Sequence, residues 1–153
     1  MGSADGAEDL QCAFMNRVHF SSKDHCATTP PEFFEALNNL LKFTLDPCCL
    51  EETALCKKFY TPEDNGLIQD WTGERVFMNP PYGQELKHWI AKAYYSEAFT
   101  VALIPSRTDT KWFHSFIYGK HRIDFIRGRL KFGGLKHNAP FPSMLVFFNE
   151  DLK

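Results

Sequence analysis

The tetrapeptide Asn79-Pro80-Pro81-Tyr82 contains the residue types in this sequence that are best suited to chemistry. It directly follows the β-branched and aromatic run 75–78, which is typical of a strand. The two prolines stiffen the chain, hold Asn79 away from helical geometry and remove two backbone donors. The Asn79 carboxamide oxygen and a neighbouring carbonyl can then accept hydrogen bonds from one exocyclic amino group, while Tyr82 offers an aromatic face for stacking. The alternative is a rigid loop in which Asn79 caps the next helix.

Basic residues are concentrated in the second half of the chain, although the net charge of the whole chain is only −2. Residues 1–75 contain six Lys or Arg and 13 Asp or Glu, a net charge of −7, whereas residues 76–153 contain 11 and six, a net charge of +5. This asymmetry predicts a positive face for phosphates, and ordinary surface ion pairs are the alternative. The bases between positions 107 and 136 are Arg107, Lys111, Lys120, Arg122, Arg127, Arg129, Lys131 and Lys136, with His114, His121 and His137 in or beside this stretch.

The length of 153 residues indicates one domain, and a hydrophobic fraction of 44% is sufficient for a core. We expect a flexible tail over residues 1–15 and a single domain over 16–153. No apolar run approaches the roughly 18 residues that would cross a bilayer, and the first residues lack the pattern of a signal peptide. We therefore predict an intracellular protein without a membrane partner.

The cysteines are expected to be reduced thiols, since their number is odd and no CxxC pair occurs. A zinc site built from Cys48, Cys49 and Cys56 with His25 or Cys26 is the alternative. Adjacent cysteines are poorly spaced for structural zinc, so we predict no metal.

Apolar periodicity and turn residues predict strands that alternate with helices, and hence an α/β fold with a mostly parallel sheet. The first helix begins with capping-box spacing between Thr29 and Glu32, and Pro30 suits the first helical position. The predicted strands are 43–46, 59–60, 75–78, 100–104, 122–126 and 143–148, and the predicted helices are 29–41, 50–57, 85–97 and 109–118.

The carboxyl edge of this sheet is where we expect the functional residues, because ligands of such sheets bind beyond the carboxyl ends of the strands. Asp46 ends the first predicted strand, Asn79 follows the third and Pro105 follows the fourth. The predicted sheet would therefore place the tetrapeptide beside an acidic residue.

The tetrapeptide resembles motif IV of amino-methyltransferases that use S-adenosylmethionine. Between Phe20 and Phe148, the sequence is similar to the phage-type DNA N6-adenine methyltransferases, a small Dam-like family. This resemblance implies a minimal Rossmann-like S-adenosylmethionine-dependent methyltransferase fold, with a mostly parallel central sheet and helices on both faces. Besides the tetrapeptide, the segments that carry it are Phe20-Ser21-Ser22-Lys23, Thr29-Pro30, Phe43-Thr44-Leu45-Asp46, Phe59-Tyr60-Thr61-Pro62-Glu63-Asp64, Gln69-Asp70-Trp71, Ile104-Pro105-Ser106-Arg107-Thr108-Asp109-Thr110-Lys111-Trp112-Phe113-His114, Gly128-Arg129-Leu130-Lys131-Phe132 and Ala139-Pro140-Phe141-Pro142-Ser143.

The activity that the resemblance implies is methyl transfer from S-adenosylmethionine to N6 of adenine in DNA. The target adenine would be rotated out of the duplex, because N6 cannot be reached within the stack. Asn79 and the Pro80 carbonyl would hold the N6 amino hydrogens, and Tyr82, which follows Pro81, would stack on the base. The methyl group would pass directly to N6, without a covalent enzyme intermediate.

The resemblance also implies where the cofactor binds, although the loop Asp46-Pro47-Cys48-Cys49 lacks the glycines that are usual there. For each acidic residue, a cap or a surface charge is the alternative role, and for Thr29 and Pro30 the alternative is plain capping of the helix that follows. The implied contacts are Thr29 and Pro30 near the methionine end, Asp46 near the ammonium group, Pro47 next to it in the same loop, Glu63 or Asp64 at the ribose hydroxyls, and Asp70 and Trp71 at the adenine.

Double-stranded DNA is the partner that the resemblance implies, in the cytoplasm for a phage or bacterial protein and in the nucleus for a eukaryotic one. One alternative keeps the chemistry but places it on RNA or on protein glutamine. Another is a catalytically silent DNA-binding subunit of the same fold. The residues implied to contact DNA are Arg107, Lys111, His114, Arg127, Arg129 and Lys131.

Overall fold

A computed structural model describes residues 28–133 and 137–153, so the tail predicted at 1–15 lies outside the described residues. Three α-helices and six strands lie in the described part of the chain. In the described residues, no helix is long and apolar enough to span a membrane. The helices are α1 (Pro31–Leu41), α2 (Leu86–Tyr95) and α3 (Lys111–Phe116), and the strands are β1 (Leu45–Asp46), β2 (Lys58–Phe59), β3 (Arg75–Met78), β4 (Phe99–Pro105), β5 (Arg122–Phe125) and β6 (Ser143–Phe148).

The six strands form one sheet in the order β2-β1-β3-β4-β6-β5. The pairs β1–β2, β1–β3 and β3–β4 are parallel, whereas β6 is antiparallel to both β4 and β5. The predicted α/β architecture is therefore confirmed, but the sheet is mixed. Since β6 alone is reversed, β5 runs in the same direction as β1 to β4.

Helices cover both faces of the sheet. On one face, the ring of Phe34 in α1 lies 5.1 Å from the ring of Phe77 in β3. Register connects Val76 of β3 through β4 to Phe148 of β6, so Phe148 lies on the face opposite Phe77. There Phe148 contacts His121, whose ring lies 5.7 Å from Tyr94 of α2. Because the sheet is covered on both sides, every residue of β4 and β6 is buried.

The first helix begins later than the capping-box pattern predicts. Pro30 is its N-cap, no side chain caps it, and Pro31 occupies the first helical position. The Thr29 hydroxyl instead accepts a hydrogen bond from Asn79, far along the chain. The predicted capping box is therefore wrong, because a tertiary contact takes the side chain that would have formed it.

The helix predicted at 50–57 is also wrong, since the structure has only a 3₁₀ turn at Glu51–Thr53. The backbone N–H of Leu50 donates to the Thr53 hydroxyl, and that of Leu55 donates to the Asp46 carboxylate. Side chains thus take the N–H groups that a longer helix would pair with its own carbonyls.

Candidate active site

The carboxyl edge of the sheet brings together residues that the sequence analysis singled out. β1 ends at Asp46, β3 ends one residue before Asn79, and β4 ends at Pro105. Because β1, β3 and β4 are parallel, these ends lie at the same edge. Asp46 and Asn79 line one small cavity of about 30 Å³, together with Thr28, Thr29, Cys48, Cys49, Thr53 and Leu55.

Both ends of the Asn79 carboxamide are hydrogen-bonded. Its Nδ2 donates to Thr29 Oγ1 at 3.0 Å, and its Oδ1 accepts from the Tyr82 hydroxyl at 2.9 Å. Thr29 is 5% exposed and Tyr82 is 1% exposed, so water competes little for either bond. These two contacts fix the plane of the Asn79 amide. The alternative role, capping α2, would need the amide to point towards the start of that helix instead. Pro80 and Pro81, which follow Asn79, are both buried.

Tyr82 is buried rather than presented to solvent. Its ring meets Phe132 and Phe141 edge-on, with ring centroids 6.4 and 5.4 Å away, and its hydroxyl also lies 3.1 Å from the Leu103 carbonyl oxygen. Burial raises the pKa of the phenol well above its usual range, so Tyr82 keeps its proton. Because this ring is so fully buried, stacking of a base on it, as predicted from the sequence, requires side chains packed around it to move.

Asp46 organises the loop that lacks glycines. One carboxylate oxygen accepts from the Cys48 N–H at 3.4 Å and the other from the Leu55 N–H at 3.1 Å. Burial raises the pKa of Asp46 to about 6, against the lowering effect of these hydrogen bonds. Hydrogen bonds to the carboxylate thus shape this loop, which has no glycine with which to turn.

A larger cavity of about 250 Å³ lies on the other side of the same loop. Cys48 lines both cavities, and burial holds the pKa of its thiol well above the usual range. The Asn79 backbone hydrogen-bonds this thiol, which ties the loop to the tetrapeptide. The other lining residues are Pro47, Thr61, Pro62, Asn65, Gly66, Leu67, Pro81, Glu85 and Trp89.

The acids predicted to bind the ribose do not line either cavity. Glu63 and Asp64 are exposed, and the Asp64 carboxylate accepts from the backbone N–H of Thr61 at 2.9 Å. Thr61 itself lines the larger cavity, so Asp64 contributes to the cavity only by holding the backbone of Thr61. Glu85 is the acidic residue that lines the larger cavity. It lies at the start of α2, shortly after the tetrapeptide, and nothing in that sequence position indicated a site residue.

The pair predicted at the cofactor adenine is divided between surface and core. Asp70 is exposed, and its hydrogen bonds with Thr72 lower its pKa. Trp71 is 1% exposed, and its ring stacks at 6.4 Å on Trp89. Trp89 lines the larger cavity, so Trp71 lies behind the wall and supports it. Trp89 was not among the site residues predicted from the sequence.

Gly66 is a residue of this site that sequence reasoning missed. A Cβ at this position would lie 2.1 Å from the Pro47 carbonyl oxygen, so no side chain fits there. The Trp71 indole donates to the Gly66 carbonyl at 3.0 Å, which fixes the same turn from the other side. The Asn65-Gly66 pair was the available signal, but it indicated only a turn.

Four of the residues predicted to contact DNA come after strands that end at the carboxyl edge. The Ser106 N–H, next to Arg107, donates to the Pro142 carbonyl, and the Ile126 N–H, next to Arg127, donates to the Ser143 carbonyl. Arg107 and Arg127 thus flank the start of β6. The exposed Arg129 and Lys131 continue along the chain towards Phe132, which is buried against Tyr82.

Lys111 and His114 lie on α3, where both side chains are exposed. His114 Nε2 is 2.8 Å from the Thr108 carbonyl oxygen, so this ring is attached to the loop before the helix. Over residues 28–133 and 137–153, ion pairs involve only the bases Lys58 and Arg122. The bases predicted to contact DNA are therefore free of acidic partners in that part of the chain.

Metal ligands are not assembled in the described ranges, where no three His, Cys, Asp or Glu side chains are placed to hold an ion. His25 and Cys26, which the zinc alternative needs, lie outside the described residues.

Comparison with known proteins identifies the family. The family model described as DNA N-6-adenine-methyltransferase (Dam) matches residues 17–151. The DNA N-6-adenine-methyltransferase of Haemophilus phage HP1 is 33% identical over 117 residues, which cover 71% of this chain and 68% of that protein. The protein of the same name from Escherichia phage T1 is 32% identical over 91 residues, 56% of this chain and 38% of that protein. The resemblance predicted from the sequence is confirmed, and the chain belongs to the DNA N-6-adenine-methyltransferase (Dam) family.

Proposed function

We propose that this protein transfers a methyl group from S-adenosylmethionine to N6 of adenine in double-stranded DNA. The observation that carries the proposal is the position of Asn79 at the carboxyl edge, in one small cavity with the buried Asp46. This cavity adjoins a larger one through Cys48, so the acceptor group lies beside space for a ligand. The family of the chain supports the same activity.

Asn79 and the Pro80 carbonyl hold the amino group of the target base in this proposal. Two acceptors on one amino group localise its lone pair towards the electrophile, and their fixed orientation removes the cost of arranging them. The base has to leave the duplex to reach them, because its N6 is enclosed by the stack. The Thr29 and Tyr82 contacts keep the Asn79 amide in place before the base arrives.

In this proposal S-adenosylmethionine, which supplies an electrophilic methyl group on a sulfonium, lies in the larger cavity with its ammonium end towards the small one beside Asp46. Leu67 and Trp89 give the larger cavity apolar walls, as an adenosine moiety needs. Glu85 also lines this cavity, and its carboxylate would accept hydrogen bonds from the ribose hydroxyls. Asp46 lies at the other end, and no basic side chain neutralises it within the described residues. A buried carboxylate of this kind suits an ammonium group.

The remaining cofactor residues from the sequence analysis take narrower roles in this proposal. Pro47 lines the larger cavity, and Asp64 holds the cavity residue Thr61. Trp71 supports the cavity wall from behind. Glu63 and Asp70 are exposed and reach the cofactor only if their loops turn inward.

We also infer that the sheet is a minimal version of the Rossmann-like methyltransferase fold. The parallel strands β1, β3 and β4 carry the site at their carboxyl ends, as doubly wound sheets do. The reversed β6 starts at that edge, between the ends of β4 and β5, and Arg107 and Arg127 flank the entrance where those two strands end. Duplex phosphates would lie along these bases and along Arg129 and Lys131, while the target base enters towards Asn79.

The direct test is incubation of unmethylated DNA with labelled S-adenosylmethionine, followed by nucleoside analysis. We expect N6-methyladenine with the wild type and none with Asn79→Ala, while both bind the cofactor with nearly equal affinity by calorimetry. Asn39→Ala is the matched control, because Asn39 is exposed on α1. A folded protein that binds cofactor and leaves DNA unmethylated would refute the proposal. RNA and protein acceptors in the same assay distinguish the alternative substrates, and absence of cofactor binding would indicate a silent subunit.

A further inference from the structure

The orientation of the Asn79 carboxamide decides whether it can act on an amino group. Its Oδ1 accepts hydrogen bonds, whereas its Nδ2 only donates them. Rotation of the amide by half a turn exchanges these atoms and would set a donor against the amino hydrogens of the base. The reaction therefore depends on the contacts that hold the amide steady with Oδ1 towards the base.

Thr29 and Tyr82 hold the two ends of this amide. Thr29 Oγ1 accepts from Nδ2 at 3.0 Å, and the Tyr82 hydroxyl donates to Oδ1 at 2.9 Å. The Tyr82 hydroxyl has one proton and a second acceptor, the Leu103 carbonyl, at 3.1 Å. When Oδ1 accepts from a substrate, the Tyr82 proton can turn to Leu103, so Tyr82 alone does not fix the amide.

Thr29 is itself held in place for this contact. The backbone of its neighbour Thr28 makes two hydrogen bonds with Gly133, of 3.1 and 2.9 Å. Pro30 restricts the backbone of Thr29 to extended geometry. The Thr29 hydroxyl does not cap α1, and within the described residues Asn79 is its hydrogen-bond partner. The Thr28–Gly133 hydrogen bonds, the proline that follows and the contact with Asn79 thus all restrict the position of Thr29.

We propose that Thr29 is a positioning residue that holds the Asn79 carboxamide in place for the amino group of the target base. This inference rests on the proposed function, since it concerns the amino group of the target base. It differs from the cofactor contact that the sequence predicts for Thr29, because it acts on the methyl-transfer step rather than on cofactor affinity.

Two substitutions separate the hydroxyl of Thr29 from its shape. Thr29→Val keeps the branched side chain and removes the hydroxyl, whereas Thr29→Ser keeps the hydroxyl. At saturating cofactor and DNA, we expect Thr29→Val to lower the single-turnover rate by about tenfold to a hundredfold, and Thr29→Ser to restore most of it. Thr100→Val is the matched control, because Thr100 is equally buried and its hydroxyl faces the Ala98 carbonyl.

Cofactor affinity distinguishes positioning from cofactor binding. We expect Thr29→Val to keep its dissociation constant for S-adenosylmethionine within about threefold of the wild type, since the amide and not the cofactor loses a partner. The Asn79 side-chain amide signals in nitrogen-15 NMR, identified by their absence in Asn79→Ala, should shift in Thr29→Val and stay near their wild-type positions in Thr29→Ser.

Several results would overturn the inference. One is a Thr29→Val rate equal to that of the wild type, and another is a rate that excess cofactor restores. Unchanged Asn79 amide signals in Thr29→Val would also overturn it, and this readout needs no activity. An inactive wild type, by contrast, would refute the proposed function itself, so the two failures are distinguishable.

Discussion

At the scale of single residues, the structure gives Asp46 two tasks. Its carboxylate accepts the N–H groups of Cys48 and Leu55, which shapes the loop, and it faces the small cavity beside Asn79. The first task uses its oxygens as acceptors, while the second, in the proposed function, offers a negative charge to the ammonium group of the cofactor. A buried charge without a basic partner costs stability, which a site for a cation tolerates.

Asp46 should make stability depend on pH. Burial raises its pKa from 3.8 to about 6, so the folded protein binds this proton more tightly than the unfolded chain. The stability that this proton adds to the folded state is therefore fully present below about pH 4 and is lost as the pH rises through 6. The free energy of unfolding changes by about 3 kcal/mol over this range, at roughly 1.4 kcal/mol per pKa unit. Urea unfolding without cofactor at several pH values, compared between wild type and Asp46→Asn, measures it.

The comparison concerns slopes rather than absolute stabilities, because Asn at position 46 also alters the loop hydrogen bonds. We expect the free energy of unfolding to fall less steeply from pH 4 to 7 in Asp46→Asn than in the wild type. Asp109→Asn, at an exposed position, serves as the control and should follow the wild type. Parallel curves for wild type and Asp46→Asn would contradict the prediction.

At the scale of elements, short turns and loops form much of the cavity walls, and α2 adds Trp89. The 3₁₀ turns Glu51–Thr53 and Gly66–Ile68 take the places where a local reading predicts helix or loop. Gly66 allows the second turn to approach the Pro47 carbonyl more closely than any side chain permits. The width of the larger cavity therefore depends on the absence of one Cβ atom.

Gly66→Ala should disturb the cavity more than it disturbs the rest of the fold. Its Cβ would lie 2.1 Å from a backbone oxygen, so the turn or the loop must move, at a cost of about 1–3 kcal/mol in unfolding free energy. We expect cofactor affinity to fall by tenfold or more. Thermal melting and calorimetry measure the two effects.

Gly119→Ala is the matched control for this substitution. Gly119 has a φ of +71° and no atom within 4 Å of an added Cβ, so its variant loses about 1 kcal/mol through backbone strain alone. Its cofactor affinity should stay that of the wild type. Equal affinities for Gly66→Ala and wild type would disprove the role given to Gly66.

At the scale of the whole molecule, the near-neutral total charge conceals a separation. The bases after β4 and β5 gather at the carboxyl edge, while the acidic first half supplies the buried Asp46. A charge count alone would point away from DNA. Distribution determines the local field, and a local field is what an approaching duplex meets.

Removing bases from this edge should weaken DNA binding in a salt-dependent way. Each phosphate contact contributes about 0.9 to the slope of log affinity against log salt, so the double substitution Arg127→Gln with Arg129→Gln should lower the slope by up to about 2. Fluorescence anisotropy with a labelled duplex at increasing NaCl concentration measures it. Lys153→Gln is the control, since Lys153 follows β6 at the opposite edge of the sheet. An equal loss of slope in the double variant and in Lys153→Gln would argue against the proposed DNA face.

The sequence by itself determined the features that depend on local order. Strands β3 and β6 occupy their predicted residues. A short and mostly apolar run of this kind is typical of a strand that is covered on both faces of a sheet. The tetrapeptide and the family were also readable, since both are patterns along the chain. The meeting of Asp46 and Asn79 at one edge followed from the alternation of strands and helices.

The tertiary structure alone decided which side chains hold the site together. Thr29 reaches Asn79 across 50 positions, Phe132 and Phe141 cover Tyr82, and Gly66 lies against Pro47. Each of these contacts replaces a role that local pattern had indicated, as a cap, a stacking face or a plain turn. The physical reason is that a hydrogen bond or a close contact depends on distance in space, and neighbouring residues along the chain do not encode that distance.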